Sequence, residues 1–256
     1  YDLQKKAWSF TDKIVTISQK SLQSLKTVFP EYMHKAQVIH NAFDLNTTKL
    51  KAAEKVEGTC ANCRFPIIVC AGRLDKNKNF ALVIQAVAKL KTADIQCALF
   101  IIGDGEEKES LVHLATELGI TDSVFFLGYK QNPLPYIQRA DILCLSSFAE
   151  GFPTVVLESM VLGKPFVTTP VAGASEELAD NGNCGLVADW DVDDYAEKIK
   201  ILLTDKKLYD RMSKNCREKI KEFSVENTVL QFDNLIASLP EKPNTAAGIL
   251  GKKEAF

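Results

Sequence analysis

The sequence predicts a doubly wound α/β fold built on a parallel sheet of about six strands. Six short apolar runs lack polar alternation, which is typical of strands that are buried on both faces. Segments with apolar residues at helical spacing separate these runs, and strands that alternate with helices imply parallel crossovers. The chain has 256 residues, 46% of them hydrophobic and 25% charged, so it can bury the core that such a fold needs.

The individual elements follow from the same patterns. The apolar runs predict strands over 66–72, 97–105, 123–128, 141–147, 165–169 and 184–188. Helical spacing predicts helices over 80–91, 111–118, 133–139, 153–163, 192–203, 206–221 and 224–237. Ligands of such sheets bind at the carboxyl ends of the strands, so the loops that follow the strands are the places to look for a site.

The first part of the chain has a different pattern. "KIVTIS" at 13–18 predicts a strand, a helix follows over about 19–28, and 36–43 is a short extended piece. We expect residues 1–44 to be part of a neighbouring domain and a hinge, and residues 45–238 to form the sheet domain. The end of the chain, 239–256, is rich in proline, glycine and lysine and predicts a flexible tail.

Charge and composition exclude several classes of protein. The formal net charge of −2 gives no basic excess for a nucleic acid partner, and no apolar run has the roughly 20 residues of a membrane helix. The seven cysteines are an odd number, and several lie in apolar runs, which predicts buried free thiols in a reducing, cytoplasmic compartment. Cys60 and Cys63 have no second pair at zinc-ligand spacing, so we predict no metal site.

Two loops at strand ends carry candidate binding residues. Gly72 allows a sharp turn after the first strand of the sheet domain, and Arg73 and Lys78 then bring two cations near the start of a helix, which suits a diphosphate. A solvated basic loop is the alternative interpretation. Gly103 and Asp104 follow the next strand as a turn that lets backbone approach a ligand, although a plain turn explains them equally well.

The block "EGFPTVVLES" follows the strand 141–147 and begins a helix. Pro153 suits the first helical position, where its missing N–H costs nothing, so the free N–H groups after it can face an anion. Glu158 lies on the same helix face as Thr154, among apolar residues. An ionised glutamate there needs donors, and the two hydroxyls of a ribose supply them. An exposed glutamate paired with a lysine is the alternative.

Five segments in order, "GRLDKNKN", "IIGDGEE", "FLGY", "AEGFPTVVLESMVLGKPFVTT" and "VAGASEELADNGNCGLV", resemble the C-terminal, donor-binding half of a group 1 retaining glycosyltransferase. The resemblance covers about residues 10–237. It implies one Rossmann-like half of a GT-B fold, whose C-terminal domain binds a nucleotide sugar. The N-terminal domain of such enzymes holds the acceptor, and residues 1–44 resemble only its last strand and helix.

The resemblance also assigns roles to individual residues. It implies that Arg73 and Lys78 bind the diphosphate, that Glu158 binds the ribose, and that Glu150 faces the donor sugar, which makes Glu150, Arg73 and Lys78 the catalytic groups. The remaining donor-binding residues that it implies are Gly103 and Asp104, Gly128 and Tyr129 at the base, and Gly151, Phe152, Pro153 and Thr154 beside the sugar and phosphates. It implies no catalytic role for His34, His40 or His113.

The hypothesis is therefore a sugar transfer from a nucleotide diphosphate sugar, with UDP as the expected nucleotide, to a glycan or lipid-linked acceptor. No cofactor or metal is expected, because fixed cations replace it, and Asp191 of the Asp-x-Asp triplet 191–193 is expected to cap a helix. We expect a cytoplasmic protein with possible peripheral contact at the membrane face. The alternatives are a nucleotide-sugar-binding module that is inactive without the missing domain, or a GT-B-like sugar-nucleotide epimerase. Lys108, where a dinucleotide fingerprint needs its third glycine, disfavours a dehydrogenase.

Overall fold

A computed structural model of the protein describes residues 2–56, 62–171 and 175–239. Its centre is a six-stranded parallel sheet, as the sequence predicts. The strands are β3 (Ile67–Ala71), β4 (Ala98–Ile102), β5 (Val124–Gly128), β6 (Ile142–Leu145), β7 (Phe166–Thr168) and β8 (Gly185–Val187). Their order across the sheet is β5-β4-β3-β6-β7-β8.

This order contains one reversal. The chain runs outward from β3 to β5 and then returns to lay β6 on the other side of β3, where Ile68 pairs with Ile142 and Val69 pairs with Leu143. The connections on the two sides of β3 therefore leave in opposite directions and open a crevice beyond the carboxyl ends of β3 and β6. Ligands of open α/β sheets bind at such a switch point.

Helices cover both faces of the sheet. Alternate residues of β3 point to opposite sides, so Ile68 and Cys70 join one apolar core while Ile67 and Val69 join the other. The first core is closed by α4 (Phe80–Thr92), α5 (Lys108–Glu117) and α9 (Val192–Thr204), and the second by α3 (Leu45–Ala52), α6 (Leu134–Arg139), α7 (Thr154–Val161) and α8 (Ser175–Ala179). α10 (Lys206–Lys219) contributes to both. The inner strands β3, β4, β6 and β7 are therefore buried on both faces, whereas the edge strands β5 and β8 are buried only in part.

Polar residues at the helix starts act as caps. Asp191 accepts hydrogen bonds from the backbone N–H groups of Asp193 and Asp194, both at 2.9 Å, which confirms that it caps α9. Its carboxylate is thereby committed to the helix end. Among the described residues, no group of three or more histidine, cysteine or acidic side chains could hold a metal ion.

The first 44 residues contain a small separate sheet. β1 (Ile14–Thr16) and β2 (Ala36–Val38) pair in parallel, with α2 (Gln19–Val28) between them and α1 (Asp2–Ser9) in front. The predicted extended piece 36–43 is therefore a strand only over its first three residues, and α1 was not predicted from the sequence. This segment contacts the main body at several points: the N–H of Phe43 donates to the carbonyl of Phe223 at 2.8 Å, and Nε2 of His40 lies 2.5 Å from Oε1 of Glu177. The domain boundary at 44 stays a prediction.

The last described helix, α11 (Val225–Ala237), follows a short 3-10 turn over Ile220–Phe223. Beyond Leu239, the predicted tail lies outside the described residues, as does Cys60 of the cysteine pair. Cys70, Cys97, Cys144, Cys184 and Cys216 are buried free thiols, as predicted. No helix in the described parts of the chain is long and apolar enough to cross a membrane.

Candidate functional site

The loops after β3 and β4 are packed backbone to backbone. Gly103 lies so close to Gly72 that an added Cβ would be 1.8 Å from the Gly72 carbonyl oxygen. The N–H of Leu74 donates to the carbonyl of Asp104 at 3.0 Å, and the N–H of Glu107 donates to Leu74 at 2.9 Å. The glycine at 103 is thus required by loop packing and by its φ of +145°. Its role towards a ligand stays a prediction.

Lys78 and Glu150 meet at the switch crevice between β3 and β6. The ammonium of Lys78 lies 2.5 Å from Oε1 of Glu150, and the same oxygen accepts a hydrogen bond from the Ser147 hydroxyl at 2.6 Å. The side chains are only 22% and 15% exposed. The stem of Lys78 also crosses Gly72, where an added Cβ would meet its Cε at 3.3 Å. Two residues that lie 72 positions apart therefore form one half-buried charge pair.

Arg73 lies on the same loop but is much more exposed to solvent. Its side chain is 79% exposed, and its Nε donates to Oδ2 of Asp75 at 2.7 Å. Burial works to raise the pKa of Asp75, yet the Arg73 guanidinium and the N–H of Lys78 together hold that pKa below its ordinary value. Both cations that the sequence predicts for a diphosphate are thus paired with a carboxylate in the free protein.

Glu158 occupies the half-buried face of α7. Burial raises the pKa of its carboxyl group to about 7, because the charged form loses water among the apolar side chains. Val156, Leu157 and Met160 around it are buried. No side chain in 2–56, 62–171 or 175–239 donates a hydrogen bond to this carboxylate. The sequence prediction of a desolvated glutamate is confirmed, and the alternative of a glutamate paired with a lysine is not what the described residues show.

The start of α7 differs from the prediction by one residue. Pro153 is the N-cap, with φ −77° and ψ 91°, and the helix begins at Thr154. The prediction that Pro153 is the first helical residue is therefore wrong. Proline has no N–H, so the free N–H groups at this end of the helix are those of the residues that follow Pro153. These are the N–H groups that we predict to face an anion. Gly151 and Phe152 directly precede Pro153 in the chain.

A cavity of about 510 Å³ opens beside this crevice, at the carboxyl ends of β3, β4 and β5. It brings together predicted residues from three loops. Its lining consists of Gly72, Arg73, Ile102, Gly103, Asp104, Tyr129, Lys130 and Pro133. Gly128 ends β5 with a φ of +69°, and its carbonyl accepts from the N–H of Gly103 at 3.0 Å, so the Tyr129 loop is tied to the Gly103 turn. The structure therefore places the predicted base-reading residues next to Arg73.

Sequence reasoning missed three residues at this site. Ser146 and Ser147 are fully buried, and their hydroxyls bond the Lys78 carbonyl at 2.8 Å and the Glu150 carboxylate at 2.6 Å. Asn77 bonds the backbone of the loop that precedes Glu150. Two consecutive serines at the end of an apolar strand were an available signal, because buried hydroxyls need partners. No sequence pattern indicated a role for the exposed Asn77.

The family model described as "Glycosyl transferases group 1" matches residues 57–219. This range contains all of the predicted site residues. The chain belongs to the group 1 glycosyl transferases. The resemblance seen in the sequence is confirmed, as is the α/β fold with a six-stranded parallel sheet shared with GT-B glycosyltransferases.

The chain is similar to curated glycosyltransferases of bacteria. An N-acetylgalactosamine-N,N'-diacetylbacillosaminyl-diphospho-undecaprenol 4-alpha-N-acetylgalactosaminyltransferase of Campylobacter jejuni is 32% identical over 213 residues, which are 83% of this chain and 56% of the relative. The lipopolysaccharide core biosynthesis glycosyltransferase LpsE of Rhizobium meliloti is 32% identical over 176 residues, 68% of this chain and 51% of the relative. The chain thus spans about half the length of the curated relatives that it matches.

A solved structure shares the fold. The Anabaena protein HepE, crystallised in complex with UDP, superimposes with a TM-score of 0.77 and 22% sequence identity. The match covers 91% of this chain and 65% of HepE. At this level of identity, the likeness supports the fold and leaves the site to be argued from the residues themselves.

Proposed function

We propose that this chain is the donor-binding part of a retaining glycosyltransferase, which transfers a sugar from a nucleoside diphosphate sugar to a glycan or lipid-linked acceptor. One observation carries the proposal: Lys78 and Glu150 form a half-buried pair at the switch crevice, beside the 510 Å³ cavity lined by Arg73 and Tyr129. A pair that faces a ligand crevice is suited to bind charged groups of a substrate. UDP is the nucleotide we propose.

The proposed contacts follow from charge. Arg73, Lys78 and the N-terminus of α7 would hold the diphosphate, which gains negative charge as the bond from the anomeric carbon to the phosphate oxygen breaks. Glu150 would face the sugar. Glu158 has no donor within the described residues and would accept the two ribose hydroxyls, whose bonds would offset its loss of water. Tyr129 and the Gly103–Asp104 turn would surround the base.

Calorimetric titration of the protein with UDP, GDP, ADP and uridine tests this proposal. We expect UDP to bind and uridine to bind at least about tenfold more weakly, since the nucleoside lacks the charged groups that Arg73 and Lys78 would contact. Equal affinities for UDP and uridine would contradict the proposed diphosphate site. A clear preference for GDP or ADP would keep the site and change the nucleotide.

Binding is proposed to need no divalent metal, because two basic side chains supply the positive charge. The same titration in EDTA should give an unchanged affinity. A loss of UDP binding in EDTA that Mg²⁺ or Mn²⁺ restores would show that the diphosphate is held through a metal.

The acceptor side is proposed to come from the part of the relatives that this chain does not match. We therefore expect the 256-residue chain to bind a donor sugar without transferring it. Because the Campylobacter jejuni relative is named for an undecaprenol-linked acceptor, we propose peripheral contact with the cytoplasmic face of a membrane. Transfer to a lipid-linked acceptor by this chain alone would contradict the proposal that the acceptor is bound by the part of the relatives that this chain does not match.

A further inference from the structure

Three hydrogen bonds join the loop after β3 to the loop after β6. The Nδ2 of Asn77 donates to the carbonyl of Ala149 at 2.9 Å, and the N–H of Ala149 donates back to Oδ1 of Asn77 at 3.1 Å. The N–H of Phe148 donates to the backbone carbonyl of Asn77 at 2.8 Å. One amide side chain thus pairs with a peptide unit in both directions, as a neighbouring strand would. We call these three bonds the Asn77 clasp.

The clasp is formed by the residues that directly precede Lys78 and Glu150 in the chain. Asn77 precedes Lys78, and Ala149 precedes Glu150, so the clasp fixes the two backbones from which the charge pair extends. A partly buried hydrogen bond supports the clasp: the Ser146 hydroxyl donates to the carbonyl of Lys78 at 2.8 Å. The loop after β6 then continues into α7. The clasp therefore also sets the Lys78 ammonium relative to the N-terminus of that helix.

Asn77 itself is exposed. Its removal leaves no buried polar group without a partner and opens no cavity in either core, so stability gives little reason for this residue. The geometry of the site gives a stronger reason for an asparagine at position 77. A diphosphate held both by Lys78 and by the α7 N-terminus needs these groups at a fixed separation, and groups on two loops keep such a separation only if the loops are tied.

We propose that Asn77 is a positioning residue, which holds the Lys78 loop and the Glu150 loop in register for a diphosphate. This inference rests on the proposed function of the site. The two can be separated by experiment, because one concerns whether UDP binds and the other concerns how its phosphates are held.

The test compares Asn77→Ala with a matched variant, Asn215→Ala. Asn215 also donates its Nδ2 to a distant backbone carbonyl, that of Asn183 at 3.1 Å, but it lies outside the candidate site. Hydrogen exchange should be at least about fivefold faster at Phe148 and Ala149 in Asn77→Ala than in the wild type, because both amides lose order or an acceptor. In Asn215→Ala, exchange at these two amides should be unchanged.

Calorimetry with UDP and uridine supplies the functional readout. Asn77→Ala should raise the Kd of UDP about fivefold or more, while the Kd of uridine changes less than about twofold, because uridine has no phosphates to be held between the loops. Ser146→Ala, which removes the supporting bond, should change the affinities in the same selective way. Asn215→Ala should change neither.

Each outcome decides between the two ideas. A wild-type protein that binds no nucleoside diphosphate would overturn the proposed function and, with it, the role of Asn77. A wild type that binds UDP with an Asn77→Ala variant of equal UDP affinity would leave the proposed function standing and overturn the positioning role alone. Equal losses for UDP and uridine would do the same, since they would indicate a general disturbance of the fold.

Discussion

The two edges of the sheet carry cavities of similar size, but the ion pairs at the two edges differ in exposure. At the carboxyl edge, the cavity of about 510 Å³ adjoins Lys78 and Glu150, whose side chains are 22% and 15% exposed. At the amino edge, a cavity of about 620 Å³ is lined by Lys91 and Asp122, which form an ion pair with side chains 40% and 70% exposed. The carboxyl edge thus has a partly desolvated ion pair next to its cavity, although Arg73 in the lining of that cavity is 79% exposed, and the ion pair at the amino edge is solvated. Volume alone does not indicate the site, whereas partly desolvated charge at a switch point does.

The largest effect that we expect at the carboxyl edge is on stability. The Glu158→Gln variant should gain stability relative to the wild type as the pH rises. Burial raises the pKa of Glu158 from its ordinary value of 4.5 to about 7, so the folded wild type keeps a proton that the unfolded chain has released. The wild type therefore loses stability between about pH 4.5 and 7, by at most about 3 kcal/mol, and the glutamine does not titrate.

Chemical denaturation of both proteins at pH 5 and pH 8 measures this difference. The advantage of Glu158→Gln should be larger at pH 8. Glu109→Gln is a suitable control, because Glu109 lies on the exposed surface of α5. An advantage of Glu158→Gln that is the same at both pH values would show that Glu158 is not desolvated.

The next effect separates the two edges directly. Lys78→Ala should weaken UDP binding by about 2 kcal/mol, because it removes a half-buried cation from the proposed diphosphate and leaves Glu150 with the Ser147 hydroxyl. Lys91→Ala, at the amino edge, should leave UDP binding unchanged. Calorimetry on the two variants decides the matter, and an equal loss in both would remove the distinction between the edges.

A smaller effect concerns the charge pair itself. Glu150→Gln should bind UDP more tightly, by about 1 kcal/mol, because the Lys78 ammonium no longer has a carboxylate beside it in the free protein. Binding of a UDP-sugar should gain less, since the proposed sugar contact of Glu150 is weakened at the same time. Weaker UDP binding in this variant would indicate that Glu150 helps to hold the diphosphate.

The smallest expected effect is on stability at the amino edge. Lys91→Ala should change the free energy of unfolding by less than about 0.5 kcal/mol, because exposed ion pairs contribute little. Urea denaturation in low and in high salt measures it. A loss above about 2 kcal/mol would mean that the Lys91–Asp122 pair is as important to the fold as a buried pair.

The sequence predicted most elements of the main body because their signals are local. The run 66–72 lacks polar residues, so it indicated a strand buried on both faces, and β3 (Ile67–Ala71) is such a strand. Asp191 before an apolar-periodic segment indicated a capped helix, and it caps α9. The short helix α8 was missed, since its five residues hold too few turns to show a period.

The site was predicted in parts. The desolvation of Glu158 could be inferred, because Val155, Val156 and Leu157 stand before it in the sequence. The pairing of Arg73 with Asp75 was not foreseen, since "GRLDKNKN" fixes neither side-chain direction nor exposure. The Asn77 clasp could not be inferred either, because both of its partners are loop residues without any periodic pattern.

The sequence by itself determined the alternation of strands and helices, the two buried faces of the sheet and the group 1 segments. Each of these features depends on residues that are close together in the chain. Only the tertiary structure decided the strand order β5-β4-β3-β6-β7-β8. With that order, it decided that Lys78 meets Glu150 across 72 residues. The physical reason is that an apolar strand can pair with any other apolar strand, so packing of the whole core selects its neighbours, and the neighbours bring the loops together.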